Sequence, residues 1–434
     1  MEVDVTAVLA RVHRDEWAAL LATITGQVGG DIALAEDAVQ EAFAQAATEW
    51  RARGVPDRPA GWLTVTARRR AIDLLRRDQT RSRYHEVYGR MEATAGGDDD
   101  DESSATLAAN GASSAVHDDR LRMIFTCCHP ALAIEARLAL TLRTLGGLEV
   151  PEIARAFLVN EATMFQRITR AKRKLLVAGV GYKVPSENDL PERLAGVLRV
   201  IYVIFTEGHS ATSGTDLIRT DLCDEAIRLA RLLTQLCPDE AEVLGLLALL
   251  VLTDARRPSR TSSAGPPVSL TDQDRSQWDR QAIAEGIAVL DRALTLSAPG
   301  SYQIQAAIAA LHAEAPDIDA TDWHQIALLY AELERIEPTP VVTVNRAIAV
   351  GRHAGAARGL AVLAGLSDDD RMAGYQPYYA ARAELLVEVG DLRGASAAYA
   401  SAIELAGNPS EREALRARAA AAASRLADHT RSML

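Results

Sequence analysis

Residues 151–175, PEIARAFLVNEATMFQRITRAKRKL, decide the fold class of this chain. A short helical segment at 151–157, a turn at 158–160 and a longer helical segment from 161 follow one another, which is the spacing of a helix-turn-helix. The stripe that we expect to be buried on the longer segment recurs at helical intervals and consists of Phe165, Ile168, Ala171 and Leu175. The remaining positions are largely polar or basic, so the exposed face predicts contact with a polyanion.

The exposed face of this longer segment divides into two parts. Side chains near the start of a recognition helix reach base edges, and cationic side chains further along it bind phosphates. The residues that we expect to read bases are Thr163, Gln166 and Arg167. Those that we expect to bind the backbone are Arg170, Lys172, Arg173 and Lys174. The alternative is a plain helical hairpin with a solvated basic face.

Charge is unevenly spread along the 434 residues, whose net charge is −12. Residues 51–83 carry 10 Arg and 3 Asp, and residues 120–180 carry 10 basic and 4 acidic side chains. Residues 86–119 between them carry 9 acidic and 1 basic side chain, and residues 181–434 carry 34 acidic and 24 basic ones. Two basic modules around an acidic spacer predict nucleic-acid binding by the modules. Ordinary solvated helix faces are the alternative.

A second basic segment begins where Asp57 suits a helix N-cap and Pro59 a first turn. Its apolar spacing predicts a helix from Pro59 to about Arg77. The arginines on and just beyond this helix are Arg68, Arg69, Arg70, Arg76, Arg77, Arg81 and Arg83, with Trp62 and Tyr84 near its ends. Arginines flanked by aromatic rings suit a surface that holds nucleic-acid backbone and stacks unpaired bases.

The rest of the chain shows helical periodicity without strand-type alternation, so the sequence predicts an all-α fold. Residues 88–118 predict a flexible acidic linker, because the like charges of Asp98 to Glu102 repel one another and large apolar neighbours are missing. Further breaks are expected at 179–191 and 256–270. Gly390-Asp391-Leu392, with small and large residues at regular spacing on both sides, indicates a tetratricopeptide-like (TPR-like) helical pair, and a looser copy surrounds Gly351.

Three motifs resemble those of bacterial sigma factors. Ala35–Phe43 (AEDAVQEAF) resembles their polymerase-binding helix, and Pro59–Arg77 (PAGWL through AIDLLRR) resembles their promoter-melting, −10-reading helix. Leu148–Ala154 (LEVPEIA) with the helix after it resembles their −35-reading helix-turn-helix. The order and spacing over about residues 10–180 are those of extracytoplasmic-function (ECF) sigma factors, which keep only these two domains.

The resemblance implies roles for individual residues. It implies contacts to the polymerase clamp from Asp37, Gln40 and Glu41. It implies contacts to the −10 element from Trp62, Arg68, Arg69, Arg76 and Arg77. Arg69 departs from the family pattern, in which many members carry Asn near this position.

The C-terminal half resembles the extension of one ECF group with a TPR-like tail. The matching stretches are 201–208 (IYVIFTEG), 272–280 (DQDRSQWDR) and 305–312 (QAAIAALH). We expect Asp272, Asp274, Trp278 and Asp279 to make a regulatory contact with the arginines of the sigma domains. The alternative is that these aspartates cap a helix and that Trp278 belongs to the core.

The expected domains are a sigma region 2-like domain (1–87), the acidic linker (88–118), a sigma region 4-like domain (119–181) and a TPR-like regulatory domain (182–434). The expected function is promoter-specific transcription initiation with core RNA polymerase and promoter DNA as partners, modulated by the C-terminal domain. The alternative is a helix-turn-helix regulator that acts without polymerase and carries a TPR interaction scaffold.

Four cysteines in this length cannot form a disulfide framework, and no signal peptide or long apolar run is present, so we expect a cytoplasmic protein. Cys127-Cys128-His129 lacks a second pair at metal-ligand spacing, so we expect no metal and no cofactor. The carboxylates of 272–279 have no nucleophile, histidine partner or phosphate loop with them, so we expect no catalytic site and no enzyme.

Overall fold

The computed structural model describes residues 5–90, 112–157, 159–209, 218–260, 268–296, 299–367, 369–407 and 409–432. Over these residues it contains α-helices, short 3₁₀ turns and no strand, which confirms the all-α prediction. The chain divides into two units, residues 1–200 and residues 201–434. Among the described helices, none is long and apolar enough to cross a membrane.

Within the part of unit 1 that the structure describes, there are seven helices and the start of an eighth. They are α1 (Val5–Gln27), α2 (Ile32–Arg53), α3 (Pro59–Arg90), α4 (Ala112–Cys127), α5 (Ile134–Thr144), α6 (Val150–Ala156), α7 (Glu161–Val177) and α8 (Leu190–His209), which crosses the division between the units. Helices α1, α2 and α3 pack on one another, and α5 and α6 pack on α7. Asp31 begins α2 by accepting hydrogen bonds from the backbone N–H groups of Ala33 and Leu34.

Two boundaries in unit 1 differ from the sequence prediction. Helix α3 was expected to end near Arg77 but continues to Arg90, because residues 78–88 contain no glycine or proline to break it. Of the predicted linker 88–118, the two ends belong to α3 and α4, and residues 91–111 lie outside the described residues. The domain limits that we predicted from composition therefore stay predictions.

The predicted helix-turn-helix is formed by α6 and α7, but its buried stripe differs at one position. Ile168, Ala171 and Leu175 are buried as expected. Phe165 is 60% exposed, so its placement in the core was wrong, and Met164 is fully buried in its place. The cause is the register of the first turn, since Met164 lies four residues before Ile168 and thus directly beneath it on the helix surface.

Unit 2 continues α8 and adds ten α-helices over the described residues. They are α9 (Thr220–Leu236), α10 (Ala241–Asp254), α11 (Arg280–Thr295), α12 (Ser301–Glu314), α13 (Trp323–Ile336), α14 (Pro340–Ala354), α15 (Ala356–Ala364), α16 (Gln376–Glu388), α17 (Leu392–Leu405) and α18 (Pro409–Ser432). Each of these helices packs on the next one in sequence, and this includes α10 and α11, which the long connection 255–279 joins.

The TPR-like pairs depend on small residues where two helices cross. The turn between α16 and α17 contains Gly390 with a φ of 83°, a conformation that favours glycine. In the pair α14–α15, a Cβ atom added to Gly359 would lie 2.7 Å from the carbonyl oxygen of Ala347. The two helices therefore approach as closely as the sequence pattern predicted.

Candidate polymerase and nucleic-acid interface

Helix α7 presents the predicted DNA-binding residues on one face. Its N-cap Asn160 accepts a hydrogen bond from the backbone N–H of Thr163 at 2.7 Å, which fixes the first turn. Most of the predicted residues are exposed, namely Thr163, Gln166, Arg170, Arg173 and Lys174, and Arg167 is half-buried. The exposed Phe165 ring lies among them, so sequence analysis missed a candidate contact residue by assigning that ring to the core.

Lys172 is the exception on this helix, because its ammonium group pairs with the Glu36 carboxylate of α2. The same carboxylate accepts a hydrogen bond from Arg143 Nε of α5 at 2.6 Å. The Glu36 and Arg143 side chains are only 7% and 4% exposed. We call Glu36, Arg143 and Lys172 the Glu36 cluster. It joins the region 2-like and region 4-like parts of unit 1 through buried charges.

Further contacts support the Glu36 cluster from the Arg143 side. Arg143 Nη1 donates to the carbonyl oxygen of Leu148 at 3.0 Å and pairs with Glu149 at 2.9 Å. The indole N–H of Trp17 donates to the Arg143 carbonyl oxygen at 3.2 Å, and the guanidinium lies 5.3 Å from the centre of the Trp17 ring. Arg143 therefore has partners for its charge and its backbone, as a buried guanidinium requires.

The pKa values of the cluster follow from these contacts. Burial alone would raise the pKa of Glu36, but the charges of Lys172 and Arg143 outweigh it and lower that pKa. Burial alone would lower the pKa of Arg143, but Glu36 and Glu149 outweigh it and raise that pKa. Both groups are thus held in their charged forms at neutral pH.

The predicted polymerase face of α2 lies beside this cluster. Asp37, Gln40 and Glu41 are all exposed. Gln40 Nε2 donates to Glu36 Oε1 at 3.3 Å, and Glu41 forms an exposed ion pair with Arg70 of α3 at 3.7 Å. Partial burial raises the pKa of Asp37, an effect that the nearby Lys172 charge opposes.

The predicted −10 residues lie on α3 between Trp62 and Arg77. Arg69, Arg76 and Arg77 are exposed, and Arg68 is half-buried. The Trp62 ring is half-buried and meets the Trp50 ring of α2 edge-on, with 5.6 Å between ring centres. The structure places Arg81, Arg83 and Tyr84 on the same helix, but their side chains lie outside the described part of the chain.

The aspartates of 272–279 and Trp278 have partners within unit 2. Asp274 caps the 3₁₀ turn Arg275–Gln277, and Asp279 caps α11 by accepting from the backbone N–H groups of Gln281 and Ala282. Asp272 accepts a hydrogen bond from the Ser269 hydroxyl. Trp278 is 3% exposed, and its indole N–H donates to the Ser259 hydroxyl at 2.7 Å.

Two groups of described residues have side chains of the types that bind metal ions. Cys127 and Cys128 are buried against the hydroxyls of Thr144 and Thr141, and burial raises their pKa values to about 12 and about 11. His209, Cys223 and Asp254 place their donor atoms within 4.8 Å of one another. The Asp254 carboxylate, however, accepts hydrogen bonds from Arg257 Nε and Nη2 at 2.8 Å each. Three arginines around His209 (Arg256, Arg257 and Arg260) further disfavour a cation there.

Comparison with known protein families finds three matches along the chain. Residues 14–81 match the family Sigma-70 region 2, and residues 122–175 match Sigma-70, region 4. Residues 193–294 match a family of unknown function (DUF6596). The chain belongs to the ECF-like sigma factors with a C-terminal extension. This sigma factor binds core RNA polymerase and recognises promoter DNA, as both sigma domains are present.

The sigma factor is also similar to a curated protein over most of its length. An uncharacterized protein of Rhizobium meliloti (strain 1021) is 45% identical over 378 residues, which are 87% of each chain. The similarity therefore extends well beyond the two sigma domains into the extension. No solved structure matches the chain.

Proposed function

We propose that the sigma factor binds the polymerase clamp through the exposed face of α2, with Asp37, Gln40 and Glu41 as contact residues. The observation that carries this proposal is the exposure of all three side chains on one face of a helix whose opposite face is buried. Charged groups at such a surface contribute to orientation and to affinity when a partner covers them.

We further propose that α3 contacts the −10 element through Trp62, Arg68, Arg69, Arg76 and Arg77. In the same way, α7 contacts the −35 element through Thr163, Gln166 and Arg167 at bases and through Arg170, Arg173 and Lys174 at phosphates. To these we add Phe165, whose exposed ring suits a thymine methyl group. Lys172 takes part only after it leaves Glu36, since its ammonium group is already paired.

We also propose that the C-terminal extension modulates promoter output. The extension carries net charge −10 over residues 181–434, whereas residues 51–83 and 120–180 carry +7 and +6. Opposite charges on one chain have a high effective concentration for each other. With Trp278 in the core and Asp274 and Asp279 at helix starts, Asp272 and the outer carboxylate oxygens are the groups that support a regulatory contact.

A pull-down titration with core RNA polymerase tests the proposed polymerase face. Asp37→Ala combined with Glu41→Ala should weaken binding by roughly 1–3 kcal/mol, because two charged interface contacts are lost. Asp15→Ala combined with Glu16→Ala, on α1, is a matched control with the same charge change and should bind as the wild type does. Unchanged affinity of the α2 variant would remove α2 from the interface. A chain that binds promoter DNA but never polymerase would instead be a polymerase-independent regulator.

The modulation by the extension is tested separately. Replacing Asp272, Asp274 and Asp279 by Asn removes charge and keeps the capacity to cap helices. We expect changed promoter output at an unchanged melting temperature. Equal transcription from the variant and the wild type across a salt series would contradict a regulatory contact by these residues.

A further inference from the structure

Two histidines of the extension lie side by side, apart from the two groups with metal-binding side chains described above. His324 lies in the first turn of α13 and His353 in the last turn of α14. Nδ1 of His324 and Nε2 of His353 are 3.0 Å apart, although 29 positions separate the two residues in sequence. Both side chains are exposed. We call them the histidine pair, and none of the roles assigned above uses it.

The backbone on both sides of the histidine pair is held in place by the packing of α13 on α14. Arg346 of α14 pairs with Glu334 of α13 at 3.0 Å. The two helices also share one buried core cluster, to which α13 and α14 contribute Ile326, Leu333, Val342 and Ala349. Each histidine is within about one helical turn of a member of this cluster. The separation of the two rings is therefore set by the fold before any ligand arrives.

The contact between the two rings is bent. A neutral imidazole has one N–H and one lone pair, so two facing ring nitrogens either share a proton or present two lone pairs. A hydrogen bond that is straight at both nitrogens would place the rings end to end, with their centres much further apart than the nitrogens. The ring centres are only 4.4 Å apart, and the ring planes are inclined by 42°. This arrangement weakens a shared proton and suits a third atom beside the line between the nitrogens.

The distance between the nitrogens matches that of two neighbouring ligands on one metal ion. Imidazole nitrogens bind a metal ion at about 2.0–2.1 Å. Two such nitrogens are about 2.9 Å apart at a right angle and about 3.4 Å apart at the tetrahedral angle. The observed 3.0 Å is closer to the right angle. Imidazole binds Zn, Cu, Fe and Ni, whereas Mg and Ca prefer oxygen ligands, so the histidine pair favours a transition metal.

The charges next to the histidine pair do not oppose a cation. The charged residues within two positions of either histidine are Asp322 and Arg352. Asp322 caps α13 by accepting from the backbone N–H of Gln325 at 2.9 Å, and its negative charge favours a cation nearby. Arg352 pairs with Glu388 at 3.6 Å, which offsets its positive charge.

We propose that the histidine pair binds one divalent transition-metal ion that takes ligands at right angles, as Ni²⁺ and Cu²⁺ do, with water in its remaining positions. Exposure of both side chains gives the ion a path of entry and leaves room for this water. The proton of each neutral ring then lies on the outer nitrogen, Nε2 of His324 and Nδ1 of His353, so both facing lone pairs bind the ion. The ion joins α13 to α14 and stabilises the folded extension.

The test uses the full chain without a polyhistidine tag and titrates it with NiCl₂, ZnCl₂ and MgCl₂ in separate calorimetric experiments. We expect Ni²⁺ to bind more tightly than Zn²⁺ and to raise the melting temperature, and we expect no binding of Mg²⁺. His324→Gln and His353→Gln should each weaken Ni²⁺ binding by roughly tenfold or more, because even a change beside a metal ligand costs that much. Each variant should also lose the Ni²⁺-dependent rise in melting temperature.

The matched control is His129→Gln, which removes a half-buried imidazole of unit 1 whose Nδ1 accepts from the backbone N–H of Ala131 at 3.1 Å. This control should bind Ni²⁺ as the wild type does. Without metal, His324→Gln and His353→Gln should melt at nearly the wild-type temperature, because both side chains are exposed. A loss of Ni²⁺ binding in these variants is then a loss of ligands and not of the fold.

Several results would overturn the proposal. Equal Ni²⁺ affinity in the wild type and both pair variants, or no binding at millimolar concentrations, would remove the site. A loss in only one of the two variants would leave a single surface histidine instead of a pair. Tighter binding of Zn²⁺ than of Ni²⁺ would contradict the right-angle geometry, and a loss in His129→Gln would move the ion to Cys127 and Cys128. None of these outcomes depends on the promoter or polymerase assignments, so the proposed function and this site can fail separately.

Discussion

Replacing Glu36 by Gln tests how strongly the Glu36 cluster holds the two sigma domains of unit 1 together. The substitution keeps the size of the side chain and removes the charge that Arg143 and Lys172 share. Removing one partner from a buried ion pair costs about 3–5 kcal/mol, because the other charge stays buried without compensation. Arg143 keeps Glu149 as a partner and Lys172 is 14% exposed, so we expect a loss near the lower end, about 3 kcal/mol.

Hydrogen–deuterium exchange of the full chain measures this loss locally. A change of about 3 kcal/mol corresponds to a roughly hundredfold shift in an opening equilibrium. The amides of α2 and α5 should therefore exchange faster in Glu36→Gln, while those of α14 to α17 in unit 2 should not change. The control is Glu49→Gln on the same helix, which breaks the exposed Arg53–Glu49 pair and should cost less than about 1 kcal/mol.

The pH dependence gives an independent check. Because folding lowers the pKa of Glu36 below its ordinary value of 4.5, its contribution to stability is complete above that pH and is lost as pH falls further. The difference in melting temperature between wild type and Glu36→Gln should thus be constant around neutrality and shrink below pH 4.5. Equal exchange in Glu36→Gln and Glu49→Gln would refute the reasoning, since a buried pair and an exposed pair would then be equivalent.

Three further predictions concern the recognition helix and the extension. Arg167→Ala should change which promoters are preferred, whereas Lys174→Ala should weaken all promoters alike and reduce the salt slope; identical promoter rankings would contradict this division. Phe165→Ala should reduce discrimination at one base pair by about 1 kcal/mol in a promoter-variant binding assay, without lowering the melting temperature, because the ring is exposed. Gly359→Ala should destabilise the extension by about 1–3 kcal/mol in thermal unfolding, while Gly374→Ala, whose added Cβ meets nothing within 4 Å, should not.

Local patterns predicted the helices well because they depend on neighbours in sequence. The turn before α7, the exposed face of α2 and the glycine turn at Gly390 each follow from spacing within one or two helical turns. Phe165 shows the limit of this reasoning. The predicted buried stripe was shifted by one residue at its first position, so Phe165 was assigned to the core in place of Met164. Both side chains are large and apolar, so residue type alone does not distinguish them.

Contacts between distant segments could not be predicted in this way. Glu36 and Arg143 are 107 residues apart, and nothing in the helical period of either segment specifies the other as its partner. His324 and His353, which are isolated in the sequence, have ring nitrogens 3.0 Å apart in the structure. A buried acidic residue on an amphipathic helix was the available signal for Glu36, because such a group requires a cation.

Lys172 has one ammonium group and two candidate partners, the Glu36 carboxylate and a DNA phosphate, and this links the packing of unit 1 to promoter binding. The same ammonium group pairs with Glu36 in the structure and, by the proposed function, contacts a DNA phosphate. One ammonium group cannot do both at full strength, so phosphate contact by Lys172 and the closed Glu36 cluster compete. If closure is favoured by about 3 kcal/mol, the DNA affinity that depends on Lys172 is reduced roughly a hundredfold until the domains separate. Glu36→Gln should therefore strengthen promoter binding by the free chain, and an unchanged or weaker affinity would show that Lys172 has no role at phosphates.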